Sequence, residues 1–238
     1  MRAFILSAGL GTRLRSLTNK IPKVLVKIGD KPVLEHLVIL CVQHKISDII
    51  VNLHYFPKKV KDHFKDGKKW RVKIIYSFEP EIMGGAGGLK WAEKYLSDTF
   101  FVLNGDVMTN LNLSKMAKFH QEKVKKGGIG SFLVHKTDHP YDSDLVDYDD
   151  DYLVKKFFRP QPGDKFKPVS KSGTHVFEPE VLKYIPKNRK YSLEKELIPD
   201  LLRRGKKLYA YYSDEYSKDM GTPERLKQVR KDYETGKI

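Results

Sequence analysis

The stretch LSAGLGTRLRSLTNKIPK, residues 6–23, follows a short apolar run and carries two glycines, two arginines and two lysines. Glycines placed directly after a strand mark backbone that must come close to something, often a phosphate. Two familiar glycine loops can be tested at once. A P-loop needs G-x-x-x-x-G-K-S/T, which occurs nowhere in the chain. A dinucleotide fingerprint needs G-x-G-x-x-G, but after Gly9 and Gly11 the third glycine is replaced by Leu14. Two aspartates far apart in the chain, Asp106 and Asp219, each follow a strand-like run. None of the eight histidines forms H-E-x-x-H or another ligand spacing, and His175 reads as a strand residue near the site.

The elements that must position these residues alternate. Apolar, β-branched runs at 3–6, 49–53, 72–76, 100–103 and 129–134 predict strands, with helix-like stretches at 32–44, 57–64, 86–96 and 113–125. Pro32 and Pro57 sit where a first helical turn tolerates proline. Such alternation predicts a mostly parallel sheet covered on both faces, with ligands beyond the carboxyl ends of its strands. The Gly9–Gly11 loop occupies one of those ends.

From about Asp138 the rhythm changes. Residues 145–158 read as two strands around an acidic turn, 159–168 as a loop and 173–177 as a strand. A helix then starts after Ser192 as N-cap and ends at Gly205, 207–213 is a further strand, and a last helix begins with Thr222 and Pro223. The expected organisation is one domain over 1–238, with a half at about 1–137 and an elaboration of the same sheet at about 138–238.

Composition narrows the function classes. No stretch approaches the ~20 apolar residues that span a bilayer, and the N-terminus is unlike a secretory signal. A single cysteine, Cys41, excludes an internal disulfide and fits a reducing compartment, so the expected location is cytoplasmic and no membrane partner is expected. The net charge of +15 raises the question of nucleic acid. The basic residues are dispersed, however, and no zinc-finger spacing, RNP-like string or basic zipper occurs. Nucleic acid is therefore not an expected partner.

With strand and loop placed, LSAGLGTRL followed by Pro22–Lys23 resembles the signature of the nucleotide-sugar pyrophosphorylases, or sugar-1-phosphate nucleotidyltransferases: L-x-A-G-x-G-T-R-L-x-P-L-T, then P-K. FFVLNGDV (100–107) is similar to the family strand ending in G-D, and EIMGGAGGLKWA (81–92) to its E-P-L-G-T-A-G base-binding turn. SGTHVFEPEVLKYIP, SLEKELIP and YSKDMGTPERL resemble the N-A-G-I-Y-V-F, S-x-E-K-E and D-I-G-T-P segments. The matches keep family order over almost the whole chain.

The resemblance implies a Rossmann-like three-layer α/β/α fold with a small β-rich sugar-binding elaboration. It also implies a reaction in which a sugar 1-phosphate attacks the α-phosphorus of a nucleoside triphosphate and pyrophosphate leaves. Arg13 and Lys23 would be catalytic: Arg13 offers a planar fork to the β- and γ-phosphates, and Lys23 a point charge near the α-phosphate. Leu6, Ala8, Gly9, Gly11, Thr12, Met83, Gly84 and Gly105 would bind the nucleotide. Arg159, Gly173, Glu194 and Lys195 would bind the sugar phosphate. Asp106 and Asp219 would hold one Mg²⁺, which suits an ion that takes few carboxylates plus phosphate and water.

Departures from the family pattern are Ser16 for proline, Gly85 for threonine, Lys171 at the asparagine of N-A-G, and Arg159 in the lysine region of V-x-x-F-x-E-K-P. The nucleotide and metal machinery looks intact and the sugar pocket altered. The expected substrate pair is GTP with mannose or manno-heptose 1-phosphate; thymidylyl- and uridylyltransferases of glucose-type sugars share most of the signature. A non-catalytic pyrophosphorylase-like subunit is the rival of another class. The chain is expected to be monofunctional, without a hexapeptide-repeat domain, and homo-oligomerisation is left open.

Overall fold

The apolar runs become strands because the sheet they join is covered on both faces, which demands apolar side chains at successive positions. A computed structural model describes all residues, Met1–Ile238. β1 (Arg2–Leu6) leads through α1 (Arg15–Thr18) and a short ladder of β2 (Lys27–Ile28) and β3 (Lys31–Pro32) into α2 (Val33–Gln43). β4 (Asp48–Leu53), α3 (Pro57–Phe64), β5 (Lys73–Phe78), α4 (Gly84–Trp91) and β6 (Phe100–Asn104) continue the alternation. β1 lies between β4 and β6, parallel to both, and β5 joins β4 in parallel.

Beyond β6 come β7 (Val107–Thr109), α5 (Leu113–Val124), β8 (Gly128–Lys136), β9 (Leu145–Tyr148), β10 (Val154–Phe158) and β11 (Val169–Phe177). The chain ends with α6 (Ile198–Arg203), β12 (Lys207–Tyr212), β13 (Ser217–Asp219) and α7 (Pro223–Glu234). β11 runs against β6 and β8, while β8 and β12 are parallel to each other, so the common direction resumes beyond one reversed strand. β9 and β10 form a hairpin on the same sheet.

Along β1, Phe4 enters one core while Ala3 and Ile5 enter the other. Leu89 of α4 and Leu201 of α6 cover the first face; Leu37 of α2, Phe64 of α3 and Met116 of α5 cover the second. That division produces the three layers expected from the alternation.

Several boundaries differ from the sequence reading. The helix expected at 86–96 begins at Gly84 and ends at Trp91, because the Tyr191 carbonyl accepts from the Ala86 and Gly87 amides and fixes its start. The strand expected at 173–177 begins at Val169. The helix after Ser192 opens with a π turn at Leu193–Leu197, closed by Leu197 N donating to Ser192 O at 3.0 Å. Ser192 caps it as expected, its hydroxyl accepting from the Lys195 amide, while its own amide donates to Glu196. The antiparallel ladder of β7 with β13 was not foreseen, since each strand has only three residues.

Candidate active site

The loop after β1 is tied down at both ends. The Ser7 amide donates to Asn52 Oδ1 at 2.5 Å, fastening the loop to β4. The Gly11 carbonyl accepts from the Leu14 amide and from the Thr18 hydroxyl, both at 2.9 Å. Gly11 turns with φ 65°, and a Cβ there would also lie 3.0 Å from Thr18 Cγ2, so glycine alone fits. Leu14 is buried while its neighbour Arg13 is exposed and makes no hydrogen bond within the chain. A Cβ at Gly221 would lie 2.7 Å from both Arg13 Nη2 and Asp219 Oδ1, which places the free guanidinium beside that carboxylate.

The β7–β13 ladder brings the two aspartates together. Asp219 pairs with Val107, the residue after Asp106, and the Met220 amide donates to the Asp106 carbonyl at 3.0 Å. The strand alternation suggests that parallel strands bring both carboxylates to one edge; an antiparallel pair does so instead. Lys23 Nζ bonds the Asp106 carboxylate. Asp219 accepts from the Gly221 amide at 2.9 Å and from Arg225 Nη1 at 2.7 Å. Burial pushes the Asp219 carboxyl up, but that amide and the Arg225 guanidinium outweigh it and hold the group below its usual range.

A small third core supports this corner. Leu14, Met108, Met220, Leu226 and Val229 pack together in it, so the residues next to Arg13 and Asp219, and Met108 two positions from Asp106, share one hydrophobic anchor. Met220 is fully buried. Met220→Ala is expected to cost ~2–5 kcal/mol by opening a cavity there. Urea unfolding should show the loss, and an unchanged midpoint would show that the anchor is dispensable.

Two chambers open onto the carboxyl edge of the sheet. The smaller, about 380 Å³, is lined by the 6–13 loop, Lys23, Asn52, Glu79, Gly84 and Gly85. The larger, about 630 Å³, is lined by Lys171, Gly173, Lys195, Asp219, Arg225 and the rim residue Arg159. Arg13, Asn104, Asp106 and Glu194 belong to both. Arg159 is half exposed and paired with Asp144 at 3.1 Å.

Most expected site residues therefore converge, with two exceptions. Met83 and Gly105 line neither chamber. The Met83 amide donates to Glu79 and its carbonyl accepts from Tyr191. Gly105 packs where a Cβ would meet the Leu6 carbonyl at 2.5 Å. Sequence reasoning missed Asn52, Glu79 and Asn104. Asn104 immediately precedes the Gly105–Asp106 pair, and Glu79 precedes the glycine run, so their positions were the available signal. Glu79 is fully buried, held by Asn52 Nδ2 at 2.6 Å and the Met83 amide at 3.0 Å. Burial raises its carboxyl pKa, against the two hydrogen bonds.

Two chambers at the ends of parallel strands, sharing Arg13, Asn104, Asp106 and Glu194, place the chain among Rossmann-like α/β proteins that take ligands at that edge. The match is more specific than fold. The chain belongs to the nucleotidyl transferase family, whose model matches residues 2–236. It is 35% identical over 246 residues to a UTP–glucose-1-phosphate uridylyltransferase of Synechocystis sp., covering 97% of this chain and 63% of that protein. It is 34% identical over 248 residues to a mannose-1-phosphate guanyltransferase of Emericella nidulans, covering 99% of this chain and 63% of that one. The chain thus spans 63% of the length of these two relatives. The structure of HddC from Yersinia pseudotuberculosis complexed with GMP-PN superposes with a TM-score of 0.80 at 25% identity, covering 98% of this chain and 99% of that one. No helix is long and apolar enough to cross a membrane.

Proposed function

We propose that the chain transfers a nucleoside monophosphate from a nucleoside triphosphate to a sugar 1-phosphate, forming a nucleoside diphosphate sugar and releasing pyrophosphate. The observation that carries this reading is the meeting of two chambers at Arg13, Asn104, Asp106 and Glu194. A sugar phosphate oxygen forms a bond to the α-phosphorus, and the bond from that phosphorus to the β-phosphate bridging oxygen breaks. Several negative charges converge, so alignment and neutralisation supply the catalysis.

Arg13 holds the phosphates that depart, and the 9–12 loop offers amides to the triphosphate. Lys23 faces the α-phosphate once the ligand competes with Asp106 for it. Lys195 is exposed on the wall of the larger chamber, where it meets the sugar phosphate. Asp106 and Asp219 are an oxygen-only pair opening into shared space, a donor set that fits magnesium with its remaining positions left to phosphate and water. Bound there, the ion would neutralise triphosphate charge.

GTP with mannose or manno-heptose 1-phosphate is the preferred pair. Gly84 and Gly85 line the smaller chamber where the base would lie, and the guanyltransferase relative supports the reading. The uridylyltransferase relative supports UTP with a glucose-type sugar as the alternative. The test is pyrophosphate release across a matrix of triphosphates and sugar 1-phosphates. Release is expected only when both substrates are present, with the highest kcat/KM for GTP. A preference for UTP or dTTP would overturn the base, and hydrolysis without sugar dependence would overturn the reaction. Silence across the matrix would favour a non-catalytic subunit.

A further inference from the structure

Lys171 stands where the family pattern has an asparagine, and its surroundings give it a role. β11 carries a register irregularity between Lys171 and His175, where four residue steps face two on β8, from Val134 to Phe132. Such bulges re-aim side chains beside functional sites. The Lys171 side chain is only 4% exposed. Its ammonium donates to His175 Nε2 at 2.9 Å, to the Ser172 carbonyl at 3.0 Å and to Glu194 Oε1 at 3.1 Å. An ammonium has three hydrogens, and all three are committed, so none remains for a substrate.

Its effect must therefore pass through Glu194. That carboxylate lies on the π turn, lines both chambers, and keeps Oε2 without a partner in the chain. An uncompensated carboxylate at this place would repel both phosphorylated substrates. Against the effect of burial, the Lys171 charge and hydrogen bond keep the Glu194 carboxyl below its ordinary pKa. Burial, then the Lys171 charge, holds His175 neutral, so its Nε2 accepts rather than adding a second cation. Asparagine in place of Lys171 could orient Glu194 but not offset its charge.

We propose that Lys171 is a positioning residue that neutralises Glu194 and fixes its Oε2 as an acceptor for ring hydroxyls of the sugar. The larger chamber then selects a neutral, polyhydroxylated sugar at this wall and disfavours a deoxy ring or one bearing a carboxylate there. The assignment rests on the proposed reaction.

The variants K171M, K171N and the double variant K171M/E194Q test it, with mannose 1-phosphate and GTP as probes. K171M is expected to raise the KM for mannose 1-phosphate tenfold or more, while the KM for GTP moves less than about twofold. K171N should resemble K171M, because orientation without charge is insufficient. The double variant should be no worse than K171M, since it leaves no buried charge unpaired. Equal rises in both KM values, or an unchanged sugar KM, would overturn the assignment. Calorimetric titration with mannose 1-phosphate alone separates this inference from the reaction itself. Binding by the unmodified chain that weakens at least tenfold in K171M supports it even without turnover, and equal binding by both refutes it.

Discussion

Replacing Arg13 by alanine is expected to lower turnover by about 10²–10³-fold, the loss typical of one aligned charge donor, and to leave the folded state intact. Both halves of the expectation come from the same geometry. The side chain is exposed and makes no hydrogen bond within the chain, so its removal strands no partner. Its neighbour Leu14 keeps the anchor in the third core. What disappears is a guanidinium beside Asp219 that faces both chambers. Arg13→Lys should recover only part of the rate, because an ammonium lacks the planar fork that grips two phosphate oxygens. The measurements are kcat from pyrophosphate release and the thermal midpoint. Near-normal kcat in Arg13→Ala would remove Arg13 from the catalytic set.

How much of this was visible in the sequence depended on the range of the interactions. β1, β4 and β6 were legible because buried parallel strands demand continuous apolar runs, and the edge strand β5 through the apolar pair Ile74–Ile75. The helix at Pro57–Phe64 was legible because Pro57 punctuates its first turn. Thr222 and Ser192 announced helix starts through cap chemistry that is local in the chain. The loop from Gly9 to Arg13 was legible because its backbone demands are also local. β7 and β13 were not: Ser217–Asp219 is polar, three residues long, and stable only against Val107–Thr109 and the core beneath. The π turn escaped for a similar reason. Nothing in SLEKEL distinguishes it from an α-helical start, yet it sets where Glu194 points. Lys171 was noticed as a departure, but its three acceptors come from β11 and the π turn and meet only in the fold.

Asp106→Asn and Asp219→Asn are expected to fail together, each lowering turnover by about 10²–10³-fold and raising the magnesium needed for half-maximal activity. Loss of metal-borne charge stabilisation amounts to several kcal/mol, and ~1.4 kcal/mol is tenfold in rate. The amide keeps the shape of the carboxyl and removes its charge, so shape cannot account for the change. Stability should move little in Asp219→Asn. The Asp219–Arg225 pair is about a third exposed on both sides, and such partly solvated pairs contribute less than ~1 kcal/mol. Asp106→Asn also releases Lys23 from its only carboxylate partner, which leaves that cation free for phosphate and argues against a simple loss of positive charge. The β7–β13 ladder fixes the two carboxyl groups as a unit, joined by the Met220 to Asp106 backbone bond. Groups that act as a unit are not additive, so the double variant should be little worse than the poorer single one. Fully additive losses, or a single variant with an unaltered magnesium titration, would show that the two aspartates serve separate purposes.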